Sequence, residues 1–177
     1  GSGATAKIIA AGSDVSGITT FDNSGGLTID SGRSLTVSTF TNESSGTLTL
    51  NSGAQLIAST LNLLDGSTIA GAGTLSNGAN PLTLSGGSIS ATVGGTGGLV
   101  KSGTGTLTLT GANTYSGGTT VDGGTLSIAD GALGGGDVTL AEGTTIKFNG
   151  SSFTTTNDFH ITGDPVFDVA SGTTQTV

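Results

Sequence analysis

Residues 97–130 read GGLVKSGTGTLTLTGANTYSGGTTVDGGTLSIAD, and the alternation at their centre decides the fold. Leu107 and Leu109 alternate with Thr106, Thr108 and Thr110. A period of two places the leucines on one side of an extended chain and the hydroxyls on the other. Leu48 and Leu50 alternate with Thr47 and Thr49 in the same way. Thr, Val and Ile, branched at Cβ, suit a pleated backbone. Turn signals separate such stretches: Asn23-Ser24-Gly25-Gly26, Ser31-Gly32, Asn51-Ser52-Gly53, Asp65-Gly66, Gly86-Gly87 and Asp122-Gly123-Gly124. Gly and Asn there accept the positive φ that other residues resist. No stretch keeps a helical period for the length of a helix.

Working outward, the strand-like stretches recur about every twenty residues, the mark of a repeat architecture. One column reads Ile8, Ile29, Leu48, Ile69, Ile89, Leu107, Leu126, Ile146, Phe167, with spacings of 21, 19, 21, 20, 18, 19, 20 and 21. A second reads Ile18, Phe40, Leu61, Leu82, Leu99, Val121, Leu140, Ile161, and a third is legible at Leu35, Leu56 and Leu75. An antiparallel sandwich pairs neighbouring strands through hairpins and has no reason to repeat at this interval. A coil does, because each turn lays its strand on the equivalent strand one turn earlier. The predicted fold is all-β, a single-stranded parallel β-helix of about 8–9 coils of roughly twenty residues, a rod on the order of 40 Å long. A lone coil cannot bury its apolar side, so stability rests on stacking, and exposed end coils invite end-to-end association.

The quoted segment closely resembles the passenger-associated transport repeat of bacterial autotransporters, a pattern of the form GxLxKxGxGTLTLxGxNTYxGxTTVxxGTL. Gly98, Leu99, Lys101, Gly103, Gly105 and the run from Thr106 to Leu109 fall on it. So do Gly111, Asn113, Thr114, Tyr115, Gly117, Thr119, Thr120, Val121, Gly124, Thr125 and Leu126. Ala132-Leu133-Gly134 and Asp137-Val138-Thr139-Leu140 look like its continuation, giving a repeat-like segment over 97–140. The resemblance implies a right-handed coil on the outer face of a Gram-negative cell, exported by type V secretion through a C-terminal β-barrel. It also implies that the repeat assists export by folding readily outside. Within this segment Leu107, Leu109, Leu126 and Ile128 are expected in the core and Gly117-Gly118 and Gly123-Gly124 at corners. Asn113 and Tyr115 are expected to order the loop between coils. The whole of 1–177 then reads as a β-helix fragment of a larger passenger, with residues 1–3 a remnant of cloning.

Composition fits this reading and excludes others. The chain of 177 residues has 34 Gly and no Trp, Met or Cys, so its interior must be built from Leu, Ile and Val without disulfides or thiolate metal sites. Only 9% of residues are charged and the net charge is −8, with Arg33, Lys7, Lys101 and Lys147 as the fixed cations. No basic patch can form, so nucleic acid and anionic lipid are not expected partners. No run approaches the 18 apolar residues of a membrane span.

Chemistry is scarce. His160, between Phe159 and Ile161, is expected to face solvent near Asp158, with no activated nucleophile beside it. A carbohydrate-active β-helix, the alternative reading, would need converging acids and a cation. Here the twelve acids are scattered, with Asp30 and Arg33 the one close pairing. Gly134-Gly135-Gly136-Asp137-Val138 echoes a calcium-binding nonapeptide, but calcium needs more oxygens than one copy offers. A file of outward hydroxyls runs through Thr47, Thr49, Thr68, Ser88, Ser90, Thr106, Thr108, Thr125 and Ser127, interrupted nearby by Asp30, Lys147 and Asp168. Such a file also forms an ice-binding surface in other β-helices. Catalytic, cofactor and metal residues are therefore expected to be none. The expected function is a structural or interaction module of a cell-surface passenger: a stalk with a role in adhesion or self-association. Its candidate partners are the parent protein's barrel, further copies of the rod, and host glycans or surface proteins.

Overall fold

A strand with an aliphatic inner side has to cover that side and pair both of its backbone edges. The computed structural model describes residues 5–8 (backbone only), 14–76, 78–150 and 152–176, and in it the chain meets both needs by coiling. Residues 1–3, read above as a cloning remnant, lie outside the described residues.

The first sheet has nine strands. They are β1 (Thr5–Ile8), β3 (Gly26–Ile29), β5 (Thr47–Leu50), β7 (Thr68–Gly71), β10 (Gly87–Ile89), β13 (Thr106–Leu109), β15 (Thr125–Ile128), β17 (Thr145–Phe148) and β20 (Val166–Val169), stacked in that order. The second stacks β2 (Val15–Asn23), β4 (Ser34–Asn42), β6 (Gln55–Leu63), β8 (Thr74–Ser76) and β11 (Thr92–Gly94). The third stacks β9 (Leu82–Leu84), β12 (Leu99–Lys101), β14 (Thr119–Val121), β16 (Val138–Ala141) and β19 (Phe159–Thr162). A last pair joins β18 (Ser152–Thr154) to β21 (Thr174–Thr176). Every pairing among the described residues is parallel. The chain is the parallel solenoid its repeat predicts, with no hairpin sandwich.

The nine-residue strands show how one coil makes its corners. In β4 the inward side chains are Leu35 and Val37, then Phe40 and Asn42. The alternation slips at Ser38-Thr39, so the same strand turns from the second face to the third. Correspondingly, the first half of β6 pairs with β8 while β6 also packs on β9. Elsewhere glycine makes the turn. Asn51-Ser52-Gly53-Ala54 closes with Ala54 N donating to the Asn51 carbonyl at 2.8 Å, Gly53 holding a φ of 72°.

Register refines the aliphatic columns. The first column read from sequence crosses three parallel inward files. One runs Leu27, Leu48, Ile69, Ile89, Leu109, Ile128, Phe148, Val169. A second, two residues to its C-terminal side, holds Ile8, Ile29, Leu50 and Gly71, and a third, two residues to its N-terminal side, holds Gly87, Leu107, Leu126, Ile146 and Phe167. The sequence column steps from the second file to the first at Leu48, and from the first to the third at Leu107. Each strand offers two inward places two residues apart, so a count of apolar residues can cross over without leaving the core. The second column crosses likewise: Phe40 lies on Phe21, and Leu99 on Thr119, while Val121 lies on Lys101. The third column, Leu35, Leu56, Leu75, is in register and extends to Val93. Leu107, Leu109, Leu126 and Ile128 are all buried.

Polar residues break one aliphatic file, beside the corner between the third face and the first. Asn23 lies on Asn42, and Asn42 on Leu63. Further along, Leu84 lies on Lys101 and Lys101 on Val121. Asn42 is fully buried and its Nδ2 donates to the carbonyls of Gly46 and Thr68, while its Oδ1 accepts from Asn23 Nδ2 at 2.7 Å. Gly46 has to be glycine, because a Cβ there would collide with the Asn23 carbonyl and the Asn42 side chain. Lys101 is also fully buried. Its ammonium donates to the carbonyls of Ser102 at 2.7 Å, Gly103 at 2.9 Å and Gly123 at 2.9 Å. All three protons are thus used on turn carbonyls of its own coil and the next. Burial pushes the Lys101 pKa down, opposed by the nearby Asp65 carboxylate.

Lys101→Ala strands those three carbonyls and opens a cavity. It is expected to cost about 2–4 kcal/mol, read as a shift of the denaturant midpoint. Stability unchanged within error would show that the corner does not depend on the ammonium.

Candidate interaction surface

Each coil turns aliphatic side chains inward, so whatever the rod recognises must meet its outward side chains. On the first sheet these form files set by register. Thr47, Thr68, Ser88, Thr108, Ser127, Lys147 and Asp168 lie one on another, and Thr106, Thr125 and Thr145 form a shorter neighbouring file. The hydroxyl file read from sequence is therefore three, since Thr49 lies on Thr28 and Ala70 in neither of these, and Ser90 falls just outside β10. Ser127 is buried and its Oγ accepts from Asn149 Nδ2, so it is withdrawn from the face. Lys147 and Asp168 end the long file in an exposed ion pair of 3.2 Å. A shallow depression of about 240 Å³ opens in this face beside Asp65, among Thr68, Ser88, Thr106 and Thr108.

Between β13 and β14 no strand forms, yet the ladder on the second face continues past β11. Thr114 N donates to the Val93 carbonyl and Ser116 N to that of Gly95, while Gly135 N donates to the Tyr115 carbonyl. Asn113 locks this passage to both neighbours. Its Oδ1 accepts from Val93 N at 2.8 Å in the coil before, and its Nδ2 donates to the Ala132 carbonyl at 2.6 Å in the coil after. Tyr115 is buried, with its hydroxyl 2.7 Å from Thr119 Oγ1. Gly134 lies against the Tyr115 ring and carbonyl so closely that a Cβ has no room. The sequence reading gave Asn113 and Tyr115 this ordering role, and the geometry bears it out. It missed the burial of Lys101, although Leu99-Val100-Lys101 puts Lys101 on the same side as buried Leu99, which was the available signal.

The remaining candidates do not converge. His160 is exposed and pairs through Nε2 with Asp137 Oδ2 at 3.1 Å, two exposed groups on adjacent coils. Asp137, from the glycine-rich stretch with calcium-like spacing, is thereby given a partner in the next coil. Asp30 accepts from Asn51 Nδ2 at 3.0 Å, and the Arg33 amide closes a turn on the Asp30 carbonyl. Among the described residues, no group of three or more His, Cys, Asp or Glu side chains could hold a metal ion.

Residues 99–128 match the family described as the passenger-associated-transport-repeat. The chain is also similar to the adhesin BmaC autotransporter of Brucella suis biovar 1 (strain 1330), at 35% identity over 137 residues. That alignment covers 73% of this chain and 4% of the relative, so the chain spans a small part of the relative's length. No solved structure matches the chain. The repeat, the adhesin relative and the parallel solenoid all fit a segment of an autotransporter passenger β-helix.

Tyr115 is the one tyrosine, so its ionisation can be followed in isolation. Burial raises its pKa, opposed in part by the Gly134 backbone and the Thr119 hydroxyl. The unfolded phenol titrates near pH ~10. The stability this phenol contributes is therefore fully present below that pH, and is lost as pH rises through the higher folded value. Phenolate absorbance is expected to rise together with loss of the β circular dichroism signal. Ionisation at an ordinary phenol pH, with the fold intact, would contradict the burial.

Proposed function

We infer that this passenger-type β-helix segment is a non-catalytic rod of an exported, surface-exposed autotransporter. It serves as stalk and as an adhesive face. The observation that carries the reading is the transport repeat at 99–128, which is built into the continuous stack as ordinary coils. The adhesin relative supports the same role. In the longer protein the partner of export is a C-terminal β-barrel. The repeat-like segment over 97–140 assists export by folding readily once outside, because Lys101 and Asn113 each tie one coil to its neighbours with bonds that form only when the coils meet. The outward hydroxyl faces support association with other copies or with host surface molecules.

Asn113→Ala removes two inter-coil hydrogen bonds, worth about 1–3 kcal/mol together. It is expected to slow refolding of the purified chain several-fold and to lower the amount of the parent protein reaching the cell surface, measured by external protease shaving. Wild-type refolding and wild-type surface display would remove the export role. For adhesion, beads coated with the chain are expected to adhere to cultured host cells above beads coated with an unrelated β-rich protein. Equal binding would remove the adhesive face.

A further inference from the structure

The depression on the first sheet has a cause that can be read from register. Thr106 faces outward in its coil. Continuing that register by one residue, the corresponding place falls on Gly86 one coil earlier, against which the Asp65 side chain stands, and on Gly66 one coil before that. Gly66 presents no side chain there, and the surface dips beside Asp65. Around the dip stand the Asp65 carboxylate and the hydroxyls of Thr68, Ser88, Thr106 and Thr108. None of these five side chains hydrogen bonds to another group among the described residues. The polar side chains drawn into the coil are, by contrast, committed: Asn42, Lys101 and Asn113 to carbonyls, Ser127 to Asn149.

We propose that this depression binds one neutral pyranose unit of a glycan; the inference rests on the adhesive reading above and names the ligand of that face. A carboxylate only accepts hydrogen bonds, whereas a hydroxyl both donates and accepts. Asp65 is therefore suited to take both protons of a vicinal diol, and the Thr and Ser hydroxyls serve the ring oxygen and remaining hydroxyls. Adjacent rungs lie about 4.8 Å apart, a spacing that one sugar ring straddles. At about 240 Å³ the space lies below the roughly 300–1,000 Å³ of sites for larger ligands. No aromatic platform lines the site, so single-unit binding is weak and useful affinity comes from several rods acting together. The Asp65 carboxylate and a net charge of −8 select against uronic, sialic and sulfated sugars.

The test is a titration of isotope-labelled chain with methyl α-mannoside, methyl β-galactoside, methyl β-glucoside and glucuronate, followed by amide chemical shifts. At least one neutral glycoside is expected to saturate shifts confined to residues 65–68, 86–88 and 106–108, with glucuronate silent. Asp65→Asn and Thr106→Val, both at exposed positions, are expected to weaken that binding at least tenfold while leaving circular dichroism unchanged. Displacement by a desialylated host glycoprotein places the sugar on the host, and displacement by bacterial O-chain polysaccharide places it on a neighbouring cell; both support the site. Absence of saturable shifts with every neutral glycoside, or binding that survives both substitutions, overturns it. If coated beads still adhere to host cells in that case, the adhesive reading stands and only the sugar site falls. If they do not adhere, that reading falls separately.

Discussion

A coil of this chain has nothing to pack against except the coil before it and the coil after it. Fixing about twenty residues costs roughly 1–2 kcal/mol each in backbone entropy. The few inward side chains of one coil return about 1.5–3 kcal/mol apiece on burial. The balance turns favourable only when parallel ladders form on both edges and each inward Leu, Ile or Val meets its counterpart one turn away. Register is therefore the governing constraint, since a one-residue slip would turn every leucine out and every threonine in. The unbroken pairing from β1 to β20 meets that constraint in all nine strands.

Inside such a channel a polar group is a liability unless it is fully bonded. The chain uses the liability to hold its corners. Asn42 is followed in its file by Leu63, Lys101 lies between Leu84 and Val121, and each spends its protons on backbone carbonyls at or beside the turns. Asn113 does the same where the second face loses its strand, bridging the coils on either side. Those that reach Thr68, Gly123, Val93 and Ala132 join adjacent coils within or beside an aliphatic interior, so they stiffen the rod along its axis. A rod stiffened from within leaves its outer files free of structural duty. That separation lets one face carry a ligand while the core stays constant.

The alternation of Leu107 and Leu109 with threonines, and the spacing of about twenty residues, made the solenoid legible in the sequence. The transport-repeat pattern made its passenger character legible too. The exact files were not, because two inward places two residues apart look alike to any count of apolar residues. Lys101 was read as a fixed cation and a repeat position but not as an interior residue, since charge is ordinarily a sign of the surface, and its alternation with Leu99 was outweighed by its residue type. The depression beside Asp65 was invisible for a different reason. It lies where Gly66 presents no side chain beside Asp65, with Thr106 two coils on, a juxtaposition set by a register that only the folded chain defines. Turn glycines and depression glycines cannot be told apart along the sequence.

Superposition of the coils is most directly tested by the distance between spin labels at positions 47 and 147, in a chain with no native cysteine to interfere. Thr47 and Lys147 lie in one outward file five rungs apart, through Thr68, Ser88, Thr108 and Ser127. A narrow distribution centred near about 24 Å is the expected result. A broad distribution, or a narrow one far from five rung spacings, would contradict a coil stacked in register.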